Sequence, residues 1–239
     1  MARRRFFVES IRGGLADLTG EEARHLTRVL RVEAGQRFEI SDNQSAYLAE
    51  VVEARGERVR FRVVEPLPAV PLPVGITLCA ALIKFDRFEW MIEKATELGV
   101  ERVLPVETAR SEKGLLEASR KRSERWTRIV RESSQQSRRL RAPEILPAIR
   151  FDRVLATEAD HRYFLDESTA PAFLRVLPDR RSNIDRVALL AGPEGGWTDS
   201  ERLSATAAGW RAASLGPLIL RAETAAIAAA AIVVNAWLE

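Results

Sequence analysis

Val187-Ala188-Leu189-Leu190-Ala191-Gly192-Pro193-Glu194-Gly195-Gly196-Trp197-Thr198-Asp199-Ser200-Glu201 reads as a strand, a turn and a helix start in succession. Five apolar residues without a polar break fit a strand buried on both faces. Three glycines and a proline then turn the chain. Thr198 and Glu201 follow at capping-box spacing, which marks the first turn of a helix. A glycine turn outside the carboxyl end of a parallel strand is where open α/β sheets commonly take ligands. Missing Cβ atoms let backbone amides approach such a ligand closely. The turn is not a P-loop, since no Gly-Lys-Ser/Thr follows, and it lacks the Gly-x-Gly-x-x-Gly of dinucleotide sites. A tight structural turn is the competing reading; the glycines beside a proline and a carboxylate favour a ligand loop.

A second stretch, Leu215-Gly216-Pro217-Leu218-Ile219-Leu220-Arg221-Ala222-Glu223-Thr224-Ala225, repeats the arrangement. It follows an expected strand over Ala212–Leu215 and opens onto an alanine-rich helix from about Thr224. Ala228 to Ala231 would let that helix pack very closely on a neighbour. Arg221 and Glu223 stand out as charged residues among apolar ones.

Outward from these loops, strands at Ile76–Ile83, Val103–Val106 and Tyr163–Leu165 alternate with helices. One helix carries the stripe Phe88, Met91, Ile92 and Ala95, with Asp86 and Glu89 as candidate caps and an end at Gly99. A long helix over Ser119–Gln136 is expected to bury Trp126, Ile129, Val130 and Ser133 and to display Glu124, Arg128, Arg131, Gln135 and Arg138. Such alternation predicts an α/β domain with a largely parallel sheet. Upstream, Glu65 to Pro73 holds four prolines in nine residues. That density excludes helix and central strand and marks a linker, dividing the chain into 1–70 and 71–239. The first part reads as period-two strands over Gln36–Ser41, Tyr47–Val52 and Arg58–Val63. One helix interrupts them, with Thr19 and Glu22 at capping-box spacing, an apolar stripe of Leu26, Val29 and Leu30, and Arg24, Arg28 and Arg31 on another face. A small β-barrel carrying an arginine-striped helix is expected there.

Bulk properties narrow the function classes. The single cysteine, Cys79, rules out an internal disulfide and a Cys/His metal cluster, so no metal is expected. The apolar run Ala225–Val234 is half the roughly 20 residues of a membrane span. Phe6-Phe7-Val8 is too short for a secretory core, so a cytoplasmic protein without membrane attachment is expected. Arg110–Arg141 holds 11 basic against 4 acidic residues, a net +7 in a chain whose total is +3, leaving −4 elsewhere. A concentrated basic segment suits a polyphosphate partner; a solvated helix face is the equal alternative.

The same residues resemble a known family. His25-Leu26-Thr27-Arg28-Val29-Leu30-Arg31, Lys84, Lys94-Ala95-Thr96-Glu97-Leu98-Gly99-Val100, Arg125-Trp126, Gln136-Ser137, Gly192-Pro193-Glu194-Gly195-Gly196 and Ile219 to Ala225 occur here in the order and spacing of the RsmE family. These are bacterial SPOUT-class methyltransferases that modify N3 of a uridine in small-subunit (16S) ribosomal RNA, and the resemblance spans essentially the whole chain. It implies a PUA-like barrel that grips RNA, then a SPOUT-type α/β domain with a deep trefoil knot, a rare exception to unthreaded topology. It implies an S-adenosylmethionine pocket from three loops: after Leu165; at Gly192, Pro193, Glu194, Gly195 and Gly196; and at Leu215, Gly216, Leu218 and Leu220. It also implies a homodimer with the closing helix in the interface. The chain departs from the family at Leu218, where arginine is usual, at Ala222, where threonine is usual, and at Arg138, where glycine is common.

On that reading Arg221 stabilises a uridine anion or holds a flanking phosphate, and Glu223 orients Arg221 or accepts the proton. Glu194 bonds loop amides. Arg3, Arg4, Arg28, Arg31, Lys84, Arg110, Arg131 and Arg139 are the expected RNA contacts, arginine being suited to phosphate by its planar fork. His25, Trp126 and Trp237 are expected in the core, and Lys94 with Glu97 as a structural pair. The alternatives are another SPOUT enzyme acting on a ribose 2′-oxygen or on transfer RNA, and a non-catalytic rRNA-binding assembly factor. Arg221-Ala222-Glu223-Thr224 argues against a ribose-modifying enzyme, and the intact loops against an assembly factor.

Overall fold

The computed structural model of the chain describes residues 4–168 and 170–238. They form two compact units. The first is the chain as far as Pro71 together with Arg131–Ala142; the second is Leu72–Val130 together with the chain from Pro143 onward.

The first unit contains β1 (Arg5–Phe7), β2 (Ile11–Arg12), β3 (Leu15–Thr19), α1 (Gly20–Arg24), a π-helical turn over His25–Val29, then β4 (Arg37–Ser41), β5 (Ala46–Arg55) and β6 (Arg58–Leu67). They make one six-stranded sheet in the order β1-β4-β5-β6-β3-β2. Only β1 and β4 pair in parallel. Among the described residues no ladder joins β1 to β2, so hydrogen bonding does not close the sheet into the expected barrel. Period-two alternation holds on β6, where Val59 and Phe61 are fully buried and meet Phe6, Leu18, Ile40 and Val51 in one core.

β6 runs through Pro66 to Leu67, opposite Tyr47 and Ala46 of β5. Its other neighbour, β3, ends its pairing at Arg62, so the proline lies on an open edge where no donor is needed. Thr19 precedes α1 but makes no side-chain cap. The helix then widens: the Leu30 amide bonds the His25 carbonyl, five residues back, at 3.1 Å. The wider turn leaves Leu26 buried but rotates Val29 and Leu30 outward, and it exposes His25, which is not a core histidine.

The division after residue 70 placed residues 131–142 with the second domain, whereas they pack in the first unit. Arg131 Nε donates to Glu22 Oε1 at 2.6 Å and its Nη2 to the Phe7 carbonyl at 2.9 Å. Gln135, expected on the open face, is buried and donates to Glu22. Arg5 Nη1 and Ser41 Oγ bond the carbonyls of Arg138 and Leu140.

The second unit contains β7 (Gly75–Ala81), α2 (Phe85–Glu97), β8 (Arg102–Glu107), α3 (Leu115–Arg120), the start of α4 (Ser123–Gln136), β9 (Glu144–Ile145), β10 (Ile149–Arg150), α5 (Phe151–Val154), β11 (His161–Leu165), α6 (Phe173–Val176), β12 (Arg186–Ala191), α7 (Asp199–Ala207), β13 (Arg211–Ala213) and α8 (Ala222–Ala236). The long helix expected over 119–136 is therefore two. The sheet runs β10-β8-β7-β12-β11-β13, with β9 beside β8, and its strands pair in parallel. Helices on both faces explain why β7 and β12 are apolar apart from Thr77 and the terminal Arg186. Phe88, Met91, Ile92 and Ala95 of α2 enter the core with Trp126 and Trp237. Glu89 is no cap; it is nearly buried and takes Arg125 Nε at 2.8 Å. Lys94 and Glu97 pair at 2.9 Å. Ala226, Ala229 and Ala230, rather than the expected Ala228 and Ala231, are the fully buried alanines of α8.

Candidate functional site

β12, β11 and β13 are adjacent and parallel, so their carboxyl ends deliver three loops to one place. The loops surround an open cleft. Leu165 lines it from the first loop, Gly192, Pro193 and Gly196 from the second, and Leu215, Gly216, Leu218 and Leu220 from the third. Of the residues expected around a cofactor, only Glu194 and Gly195 do not line it. Both turn to the back of their loop. Glu194 does not bond loop amides as expected; its Oε1 accepts from Arg87 Nη1 at 3.0 Å.

The glycines answer to the protein's own packing. A Cβ on Gly192 would stand 2.9 Å from Cε2 of Trp197. One on Gly195 would stand 3.3 Å from Cβ and Cδ of Arg110. Gly196 has φ +66° and its missing Cβ leaves room for the Glu167 carboxylate.

Several lining residues escaped the sequence reading: Asp166, Glu167, Trp197, Ala213, Ser214, Ala222 and Ala225. Trp197 joins two loops, being buried and donating Nε1–H to the Leu165 carbonyl at 2.7 Å. Arg202 on α7 does so again. Its Nε and Nη2 reach Asp166 Oδ2 and Oδ1 at 3.0 and 3.2 Å, and its Nη1 the Trp197 carbonyl at 2.7 Å. Burial alone would push the Asp166 carboxyl up, but the Arg202 guanidinium and the Ser168 amide together hold it below the usual carboxylate range. Asp166 is therefore a fixed negative charge in the cleft wall. A carboxylate pair directly after a strand and a tryptophan directly after Gly-Gly were the available signals. The capping box is present: Thr198 Oγ1 accepts from the Glu201 amide at 3.2 Å and Glu201 Oε2 from the Thr198 amide at 2.9 Å. Glu201 Oε1 also takes the Ala109 amide at 2.8 Å, tying the turn after β8 to α7.

Arg221 is the exposed N-cap of α8, and Glu223 lies in the first turn, 5% exposed, with Oε2 lacking a hydrogen-bond partner among the described residues. Neither lines the cleft, although Ala222 between them does. Of the expected RNA contacts, Arg28, Arg31, Lys84 and Arg110 are exposed. Arg4 lies half-buried with its guanidinium 6.0 Å over the Phe6 ring. Arg131 is committed to Glu22 and Phe7, and Arg139 Nε bonds the Arg141 carbonyl. Arg3 lies outside the described residues. Lys84 is also the N-cap of α2.

Residues 70–234 match the family described as RNA methyltransferase domain, and residues 18–64 match the RNA methyltransferase PUA domain. Ribosomal RNA small subunit methyltransferase E of Synechocystis is 35% identical, the alignment covering 97% of this chain and 76% of that protein. The protein of that name from Bacillus subtilis is 30% identical over 92% of each chain. The crystal structure of ribosomal RNA small subunit methyltransferase E from Neisseria gonorrhoeae bound to S-adenosyl methionine superposes with a TM-score of 0.88 at 29% identity, covering 99% of this chain and 98% of that one. A methyltransferase from Legionella pneumophila in complex with bound S-adenosylmethionine gives 0.89 at 28% identity, with the same coverage.

Proposed function

We propose, from the premise that this chain belongs to the RNA methyltransferase family and carries its PUA domain, that it methylates N3 of a uridine in 16S rRNA of the small ribosomal subunit. The observation that carries the reading is the three-loop cleft, in a chain whose relatives bear the name ribosomal RNA small subunit methyltransferase E. The cleft suits S-adenosylmethionine on its own chemistry. Leu165, Leu215, Leu218 and Leu220 offer apolar surface for a flat adenine ring, and the glycine turn brings backbone groups close to a ligand. Leu165, Gly192, Pro193, Gly196, Leu215, Gly216, Leu218 and Leu220 would hold it, with Asp166 and Trp197 behind them.

When bound, the cofactor supplies an electrophilic methyl group on a sulfonium. The protein's part is to align and activate the nucleophile. N3 of neutral uridine carries a proton and attacks once it is lost; the N3–methyl bond forms as the sulfur–methyl bond breaks. Arg221, exposed beside the cleft wall, stabilises the uridine anion. Glu223, buried in the first turn of α8, either orients Arg221 or accepts the proton. Arg28, Arg31 and Lys84 are the RNA contacts whose exposure fits phosphate binding; Arg4 is a weaker candidate.

The deep trefoil knot belongs to the same proposal. α8 leaves the edge strand β13 yet packs against α2, β12 and β7, so the chain returns across the sheet. Homodimerisation beside α8 is supported by Leu218 and Ile219, 78% and 86% exposed. A cytoplasmic location follows from the rRNA substrate; no helix among the described residues is long and apolar enough to cross a membrane.

The test is methyl transfer from labelled S-adenosylmethionine to small subunits lacking the modification, with nucleosides resolved by mass spectrometry. 3-Methyluridine is expected. A ribose-methylated product would overturn the assignment of the acceptor atom.

A further inference from the structure

The loop Gly192–Gly196 has two sides. Gly192, Pro193 and Gly196 face the cleft, while Glu194 and Gly195 face away and are each gripped by one arginine from a different strand end. Arg87, in the first turn of α2 after β7, donates to Glu194 Oε1 at 3.0 Å. Arg110, in the turn after β8, donates Nη1–H to the Gly195 carbonyl at 2.6 Å. Its side chain lies where a Gly195 Cβ would be crowded at 3.3 Å. The turn carrying Arg110 is itself fixed. Thr108 Oγ1 and Ser111 Oγ meet at 3.0 Å, and the Ala109 amide is held by Glu201, whose other oxygen closes the capping box immediately after the loop.

We propose that Arg87 and Arg110 are positioning residues that hold the Gly192–Gly196 loop, from behind, in the form that binds S-adenosylmethionine. Arg110 thus serves the cofactor loop instead of gripping RNA. The inference rests on the reading of the cleft as a cofactor site. Among the described residues the loop's backbone makes one bond of its own, Gly196 amide to Pro193 carbonyl at 2.9 Å, so the two arginines act with Trp197, Arg202 and the capping box in holding its shape. A loop that must be ordered on binding lowers affinity by the fraction of time it spends misplaced.

The experiment measures S-adenosylmethionine affinity by calorimetry on the full chain without RNA, for wild type, Arg87→Gln, Arg110→Gln, Arg110→Lys and Gly195→Ala. Kinetics on small subunits and rRNA affinity by filter binding accompany it. Arg110→Gln is expected to raise Kd and KM for S-adenosylmethionine about tenfold, the effect of one charge-assisted bond. kcat and rRNA affinity should change by about twofold or less. Arg110→Lys, which keeps one donor, should recover part of the loss, and Gly195→Ala should weaken the cofactor by displacing Arg110. Unchanged cofactor affinity in both glutamine variants, with rRNA affinity reduced, would make these arginines phosphate ligands and overturn the inference. A wild-type chain that does not bind S-adenosylmethionine would refute the functional reading, and this inference with it.

Discussion

Gly192→Ala is the sharpest test of how the cofactor loop is built. The added Cβ would lie 2.9, 3.1 and 3.2 Å from Cε2, Cζ2 and Nε1 of Trp197. The indole cannot step aside cheaply, because it is buried, packs at a tilt with its centroid 5.6 Å from that of Phe151 and donates Nε1–H to the Leu165 carbonyl. Overpacking of this kind costs about 1–3 kcal/mol. Losing the indole bond, which leaves the donor buried, adds about 1–3 kcal/mol. The two together give about 2–6 kcal/mol, or about 4–24 °C in melting temperature for a chain of this size. Gly195→Ala makes the internal control, since its Cβ meets only the flexible Arg110 side chain at 3.3 Å and should cost under about 1 kcal/mol. Calorimetric melting of both variants without cofactor checks the ranking. Equal melting temperatures for Gly192→Ala, Gly195→Ala and wild type would refute the claim that the glycines are demanded by protein packing.

Arg221→Ala is expected to retain cofactor and rRNA binding while losing about 100-fold in methyl transfer, the scale of a displaced acid–base or charge-stabilising group; single-turnover assays check it, and full activity would remove Arg221 from the mechanism. Arg58 and then Arg60 hold the Asp17 carboxyl down at about 2 against an ordinary 3.8. A lowered folded-state pKa contributes stability that is complete above the unfolded value and lost as pH falls. Urea titrations between pH 5 and 2 should therefore show wild type losing its advantage over Asp17→Asn below about pH 4, and a pH-independent difference would contradict the pairing. Leu218→Asp combined with Ile219→Asp should shift light-scattering mass from dimer to monomer; an unchanged mass would move the proposed interface elsewhere.

The loops that line the cleft were legible because glycine, proline and the strand before them are local signals. Gly192-Pro193-Glu194-Gly195-Gly196 needs no distant residue to be read as a turn, nor Thr198 and Glu201 to be read as a cap. Which side of the turn each residue faces was not legible. Glu194 and Gly195 look like neighbours of the ligand until Arg87 and Arg110, 107 and 85 residues away, appear behind them. Asp166 and Arg202 are equally silent in sequence, being ordinary surface residue types until the fold joins them across 36 positions.

What the chain's sequence determined by itself is what short-range physics governs. Alternating Arg58 to Val63 specifies a one-sided strand; apolar runs, in β7 broken only by Thr77 and in β12 from Val187 to Ala191, specify a sheet covered on both faces. A stripe at helical spacing specifies the buried face of α2. Tertiary structure alone decided the return of residues 131–142 to the first unit, the π-helical widening that turns Val29 and Leu30 outward, and the partners of each arginine. The reason is that a hydrophobic pattern is periodic and local, whereas a guanidinium finds its partner only among carboxylates and carbonyls that the finished fold brings within 3 Å.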